Sequence, residues 1–244
     1  MIADLHCDTI SKLRDLQLGR LEPDSAFHLD FIRMKQATYV LQNFAIYIDS
    51  EIDKDIYGTY CAMYRLFQEE MLKNSDIIRQ VFRFSDIVKN RNAGRMSAVL
   101  TVEEGEAAGS LEQLEQLYAD GVRMITLTWN HRNKLGCPNC IRPDGTHSLT
   151  KPNTEDGLTE YGFCVVDRMQ ELGMSVDVSH LSDRGFYDVY ENTTKPFLAS
   201  HSNARAVTSH VRNLTDDMIR KLSVRGSRFW FAAFTLQCPD NRCN

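Results

Sequence analysis

Apolar, β-branched runs recur along the chain at residues 2–5, 39–48, 96–102, 122–127, 174–178 and 197–199. Helical patterns lie between most of them. Ser110-Leu111-Glu112-Gln113 has the form of a capping box, followed by Leu114, Leu117 and Tyr118 at helical spacing and by Gly121 as a stop. A second helix is predicted over 160–172, with Phe163, Val166 and Met169 on one face and Gly173 after it. Ser182 and Thr215 read as N-caps leading into Phe186/Val189/Tyr190 and Met218/Ile219/Leu222. Strand, loop, helix, strand, with apolar runs this short, predicts βαβ units around a parallel sheet of six strands, an α/β fold. The longest irregular stretch, 133–156, follows the fourth run; a loop that long inside a compact domain usually carries function.

The ionisable residues gather where those runs end. His6 and Asp8 end the first; read as a strand, alternation sets them on one side and Leu5 and Cys7 on the other. Glu103 and Glu104 end "MSAVLTVEE", Trp129, Asn130 and His131 end "VRMITLTWNH", His180 ends "MSVDVSH" and His201 lies in "PFLASHS". Parallel α/β sheets bind ligands at the carboxyl ends of their strands, so these groups are expected on one face. His6, Asp8, a glutamate, His180 and His201 form a donor set suited to zinc or a similar divalent ion. That is one ligand too many for a single tetrahedral zinc that keeps a water, and a two-metal site with a bridging carboxylate uses the set better.

Composition narrows the partners. The chain has 244 residues, 43% of them hydrophobic, which suits one large core, and its net charge of −5 offers no basic patch for nucleic acid. No apolar run approaches a membrane span or a secretory leader, so a cytoplasmic protein is expected. Seven cysteines then read as thiols or ligands rather than as a disulfide framework. Cys137-Pro138-Asn139-Cys140 is the one C-x-x-C; two free loop thiols are favoured over a metal or redox pair, since no second pair stands at zinc-site spacing. Arg212 precedes a helix start, where it can hold a substrate carboxylate or pair with Asp216 or Asp217 at the surface; both readings stand. Asp177 has strand parity opposite to His180 and reads as a satisfied structural acid, while His28, His147 and His210 are assigned no role.

"DLHCDT", "TVEEG", "TLTWNHRN", "GLTEYG", "ELGMSVDVSH", "ASHSNARAV" and "HVRNLTDD" together resemble, in order, the motifs of the membrane (renal) dipeptidase family of zinc metallopeptidases in its bacterial cytosolic form. They span residues 1 to about 222. The resemblance implies a TIM-type (β/α)8 barrel with a binuclear Zn2+ site that hydrolyses dipeptides through a hydroxide held between the metals. It places His6 and Asp8 on one zinc and His180 and His201 on the other, with Glu103 as the bridging, catalytic carboxylate. Glu103 is preferred to Glu104 because the family's ligand stands two residues before the glycine matched by Gly105. Arg212 matches the arginine that holds the substrate's C-terminal carboxylate. Trp129 stands where many members carry a substrate-contacting histidine, and His131, two residues on, is a candidate to replace it.

The family continues through two further strands and an aspartate assigned to proton transfer, neither of which has a counterpart before residue 244. The expectation is therefore an incomplete barrel of six to seven of the eight strands over 1–222. The tail, 223–244, diverges as a frameshift, truncation or chimeric gene would leave it, with "RFWFAAFTL" offering a seventh strand. Two chains pairing across the open edge are compatible with this reading. Two alternatives accompany the dipeptidase: a catalytically impaired, metal-binding barrel fragment, and another metal-dependent, amidohydrolase-like enzyme. The usual H-x-H opening of that superfamily argues against the last, since this chain has H-x-D.

Overall fold

Parallel neighbours cannot be joined by a tight turn, so each strand of such a sheet must be followed by a crossover, here usually a helix. The computed structural model, which describes residues 1–15, 27–224 and 229–231, follows that rule. Its elements are β1 (Ile2–Asp4), α1 (Thr9–Asp15), α2 (Phe31–Gln36), β2 (Tyr39–Tyr47), α3 (Ile56–Lys73), β3 (Ile78–Gln80), α4 (Phe84–Asn92) and β4 (Met96–Glu103). They continue, after a 3-10 turn at Gly105–Ala108, with α5 (Leu111–Ala119), β5 (Val122–Thr126), α6 (Glu160–Leu172), β6 (Ser175–Asp177), α7 (Asp183–Asn192), β7 (Ala199–Ser202), α8 (Asp216–Val224) and β8 (Phe229–Phe231).

The spatial order is β1-β2-β4-β5-β6, all parallel. On the side of β4 away from β2, β3 pairs with its first half, Met96–Ala98, and β5 with its second half from Leu100. A bridge between Asp177 and Leu198 carries the sheet on to β7, with Val178 N donating to Leu198 O at 2.9 Å and Leu198 N to Val176 O at 3.0 Å. β8 then lies parallel to β7. The result is a curled half-barrel in which, among the described residues, β1 pairs only with β2.

All six apolar runs form strands: β1, β2, β4, β5, β6 and β7. The three-residue β3 is too short to stand out as a pattern. The seventh strand expected within "RFWFAAFTL" is present at β8, while residues 225–228 and 232–244, most of the expected divergent tail, lie outside the described residues. Three predicted caps form as read: Ser110, Ser182 and Thr215 accept from the backbone N–H of Gln113, Gly185 and Met218. Gly173 ends α6 with φ 77°, a left-handed turn that favours glycine. Among the described residues no helix is long and apolar enough to cross a membrane.

Alternation sorts the two faces of the sheet. Along β4, Met96, Ala98, Leu100 and Val102 enter the hydrophobic core with Phe44 and Ile46 of β2 and Val176 of β6. Deleting one such side chain, as in Leu100→Ala, costs about 2–5 kcal/mol. The concave face instead gathers buried polar residues: Thr101, Glu103, Thr126, Asp177 and Ser200. A polar lining deep inside an α/β sheet is expensive unless every group is satisfied, and it leads up to the strand ends.

Candidate metal centre

Five donors from four strand ends meet at the mouth of the half-barrel. His6 and Asp8 follow β1, Glu103 is the last residue of β4, His180 follows β6 and His201 lies in β7. His6 Nε2 lies 3.1 Å from Asp8 Oδ1 and 3.1 Å from Glu103 Oε2. The other Glu103 oxygen, Oε1, lies 2.8 Å from His180 Nε2 and 3.3 Å from His201 Nε2. The His6 and His201 rings stack with centroids 3.8 Å apart. The Nε2 atoms of His180 and His201 approach to 3.1 Å. Cys7 turns into the core, as alternation predicts.

The donor set fits a cation. Glu103 Oε1 is buried and has no hydrogen-bond partner although two imidazole nitrogens sit within 3.3 Å of it. Atoms that crowd together without bonding one another have their lone pairs aimed at a common point. Ligand atoms of His6, Glu103 and His201 all lie within 4.8 Å of each other.

Electrostatics separates the imidazoles. Burial pushes the His6 pKa down, but the carboxylates of Glu103 and Asp8 outweigh it and hold the pKa well above its ordinary value. Burial, with Arg212 nearby, drives His180 down to about 3. His201 is lowered by burial and by its neighbour His6, against the pull of Glu103. Burial would raise Glu103, yet His6, His201 and its contact with His180 hold it well below the carboxylate range. His180 and His201 are thus neutral, the state in which imidazole binds metal.

Both of these histidines have the far ring nitrogen anchored. His180 Nδ1 lies 2.9 Å from Asn130 Oδ1, and its backbone takes φ 68°, a left-handed conformation uncommon for a residue with a Cβ. His201 Nδ1 lies 2.7 Å from Ser200 Oγ, which donates to Asp177. Asp177 is a satisfied acid, as its parity suggests: Thr126 Oγ1 donates at 2.6 Å and the backbone N–H groups of Ser179 and Ser200 at 3.0 Å each. On the other side of the cluster, His6 Nδ1 is buried without a partner and the Asp8 side chain is 50% exposed.

The remaining predicted residues frame this cluster. Arg212 does not pair with Asp216 or Asp217; Asp217 instead binds Lys221 at 3.1 Å and accepts from the Tyr187 hydroxyl. The Arg212 guanidinium makes long contacts to neutral oxygens, 3.5 Å to Ser202 Oγ and 3.4 Å to His201 O, and among the described residues no carboxylate forms an ion pair with it, although Glu103 and Asp177 act on it from farther off. Trp129 packs edge-on against Tyr47 (5.0 Å) and His131 (5.3 Å) and lies 6.2 Å from the His180 ring. His131 is separated from the ligand cluster by Trp129 and lies 3.5 Å from Asp49 and 3.3 Å from Glu51. Sequence reasoning missed Tyr47 and Ser200; the only hints were the final position of Tyr47 in its strand and the Ser-His step in "ASHS".

The long loop is pinned beside the site. Asn139 donates to Asp183 Oδ1 (2.6 Å) and to Val211 O (2.7 Å) and accepts from Asn153 N (2.8 Å). Cys137 and Cys140 are free and buried, and burial pushes both thiols up to about 11, which agrees with two inert loop thiols.

A family profile described as membrane dipeptidase (peptidase family M19) matches residues 1–235. The chain is 31% identical over 247 residues to an uncharacterised dipeptidase of Schizosaccharomyces pombe, covering 92% of this chain and 57% of that protein. It therefore spans little more than half the length of that relative. Among solved structures, the dipeptidase AC, a metallopeptidase, superposes with a TM-score of 0.83 at 26% identity, covering 94% of this chain and 71% of the other. A metallopeptidase from Rhodobacter sphaeroides, liganded with a phosphinate mimic of the dipeptide L-Ala-D-Ala, shares the fold with a TM-score of 0.79 at 24% identity, covering 94% and 73%.

Proposed function

The chain belongs to the membrane dipeptidase family, peptidase family M19, and from that premise we propose that it is a zinc-dependent dipeptidase. His6 and Asp8 hold one Zn2+, His180 and His201 hold a second, and Glu103 bridges the two. The observation that carries this reading is the two-sided placement of Glu103, with Oε2 toward His6 and Oε1 toward His180 and His201. Bound there, the metal pair supplies a Lewis acid for the peptide carbonyl and an activated water as nucleophile.

The chain's own residues do the positioning. Arg212, a guanidinium in no direct ion pair among the described residues, takes the dipeptide's C-terminal carboxylate, which fixes the scissile carbonyl over the cluster. A substrate lacking a free carboxylate near the scissile bond cannot make that contact, which restricts the site to dipeptides. Trp129 and Tyr47 form an aromatic wall beside His180 that limits water on that side, with His131 at its outer edge. A cytoplasmic location belongs to the same reading and is supported by the free thiols of Cys7, Cys61, Cys137, Cys140 and Cys164.

Zinc content and dipeptide hydrolysis of the purified chain test the proposal together. The expected result is two bound zinc ions, turnover of free dipeptides, and loss of that turnover with a chelator, restored by added zinc. A second reading, a barrel that binds metal without turnover, is favoured by the β1 edge, which among the described residues pairs only with β2. Zinc binding without hydrolysis supports that second reading.

A further inference from the structure

We propose that Asp177, acting through the Ser200 hydroxyl, is the positioning residue that holds His201 in its Nδ1–H tautomer and turns the Nε2 lone pair toward the metal position. The inference rests on the zinc reading above and adds to it two residues that touch neither metal nor substrate.

The proton inventory leads to this assignment. Asp177 Oδ2 receives Thr126 Oγ1 and Ser200 Oγ, and Oδ1 receives the backbone N–H groups of Ser179 and Ser200. Two of these donors are backbone N–H groups that can only donate, and with the carboxylate ionised the two hydroxyls, which can donate or accept, donate to it as well. The single hydroxyl proton of Ser200 is therefore committed to Asp177. Its oxygen can only accept from the ring nitrogen 2.7 Å away, so His201 carries its proton on Nδ1. Nε2 then presents a lone pair at 3.3 Å from Glu103 Oε1 and 3.1 Å from His180 Nε2, the approach of atoms that share a cation.

His180 reaches the same tautomer by another device, the neutral Asn130 amide oxygen. The two histidines of one half-site thus differ in what stands behind them: an amide dipole for one, an ionised carboxylate relayed through a hydroxyl for the other. A carboxylate behind a ligating imidazole raises its donor strength, and loss of such a partner typically weakens metal binding by about 10–100-fold. A purely structural role competes with this one, because the same contacts tie β6 to β7 where the backbone ladder has thinned to the Asp177–Leu198 bridge.

The test uses full-length, zinc-free protein labelled with 15N at histidine, and a long-range 1H–15N correlation that reports which ring nitrogen of His201 is protonated. The wild type is expected to show Nδ1–H. Ser200→Ala and Asp177→Asn are expected to lose that signature and to bind zinc about 10–100-fold more weakly in competition with a chromogenic chelator. Ser200→Thr, which keeps the hydroxyl, restores both. Thr126→Val removes a different donor from the same carboxylate and loosens the tie of β6 to its other neighbour β5, while leaving tautomer and zinc affinity as in the wild type. An unchanged tautomer and affinity in Ser200→Ala, or an equal loss in Thr126→Val, overturns the proposal. A wild type that binds no zinc instead refutes the metal reading, and the tautomer pattern still judges the relay.

Discussion

On the β6–β7 side of the cluster, His180 and His201 each have the far ring nitrogen fixed, by Asn130 and by Ser200 backed by Asp177. On the β1–β4 side, His6 Nδ1 has no partner and half of the Asp8 side chain is exposed. Both sides share Glu103, yet only one is oriented by its surroundings before any ligand arrives. A preoriented imidazole loses little entropy on binding, whereas the His6 ring has no partner that fixes its far nitrogen. The difference predicts two metal positions of unequal affinity, tight at His180/His201 and weak at His6/Asp8.

The largest effect is expected where the two sides join. Glu103→Gln removes the shared charge and is expected to lower kcat/KM on the order of 10³-fold, about 4 kcal/mol, and to reduce zinc content below two per chain. A variant retaining full zinc content breaks the idea of a common bridge.

Next comes the cost stored on the β4 side. Glu104 is fully buried with Oε2 unpartnered, its backbone at φ 139°, and burial raises its pKa from 4.5 to about 7. The folded state therefore binds this proton more tightly than the unfolded chain, and stability falls as pH rises from about 4.5 to about 7. Glu104→Gln is expected to stabilise the fold by roughly 3 kcal/mol at pH 8 and by almost nothing near pH 4, read from urea midpoints at the two pH values. Equal stabilisation at both would show that the carboxyl is not the source of the cost.

Arg212 sharpens the comparison from the substrate's side. Arg212→Met is expected to cost about 2 kcal/mol in kcat/KM for free dipeptides, chiefly through KM, and far less for the corresponding dipeptide amides. Equal losses for acid and amide would remove the carboxylate from the argument. The smallest effect belongs to the exposed ligand: Asp8→Asn should weaken one zinc by about tenfold, 1.4 kcal/mol, and leave the other unchanged, as separated by stepwise chelator competition.

The strands and the clustering of the candidate donors were legible in the sequence because both depend on local signals. Short β-branched runs mark parallel strands buried on both faces, and His6, Glu103, His180 and His201 each fall at or near a strand's carboxyl end. The far side of each ligand was not legible. Ser200 meets Asp177 across 23 residues of chain, and Asn130 meets His180 across 50, so no local spacing announces them. His131 shows the limit of strand parity: two residues past Trp129, it sits with Asp49 and Glu51 rather than with the ligand cluster. α3 was hidden by its own composition, with Tyr57, Tyr60 and Tyr64 stacked ring on ring where an aliphatic stripe would have been plainer.

Stepwise zinc titration of the metal-free chain, run for the wild type and for His6→Ala, probes the unequal halves most directly. The expected result is two equivalents bound in two separated steps by the wild type, with His6→Ala losing the weaker step and keeping the tighter one. A single equivalent in the wild type, or a His6→Ala variant that loses the tighter step, would contradict it.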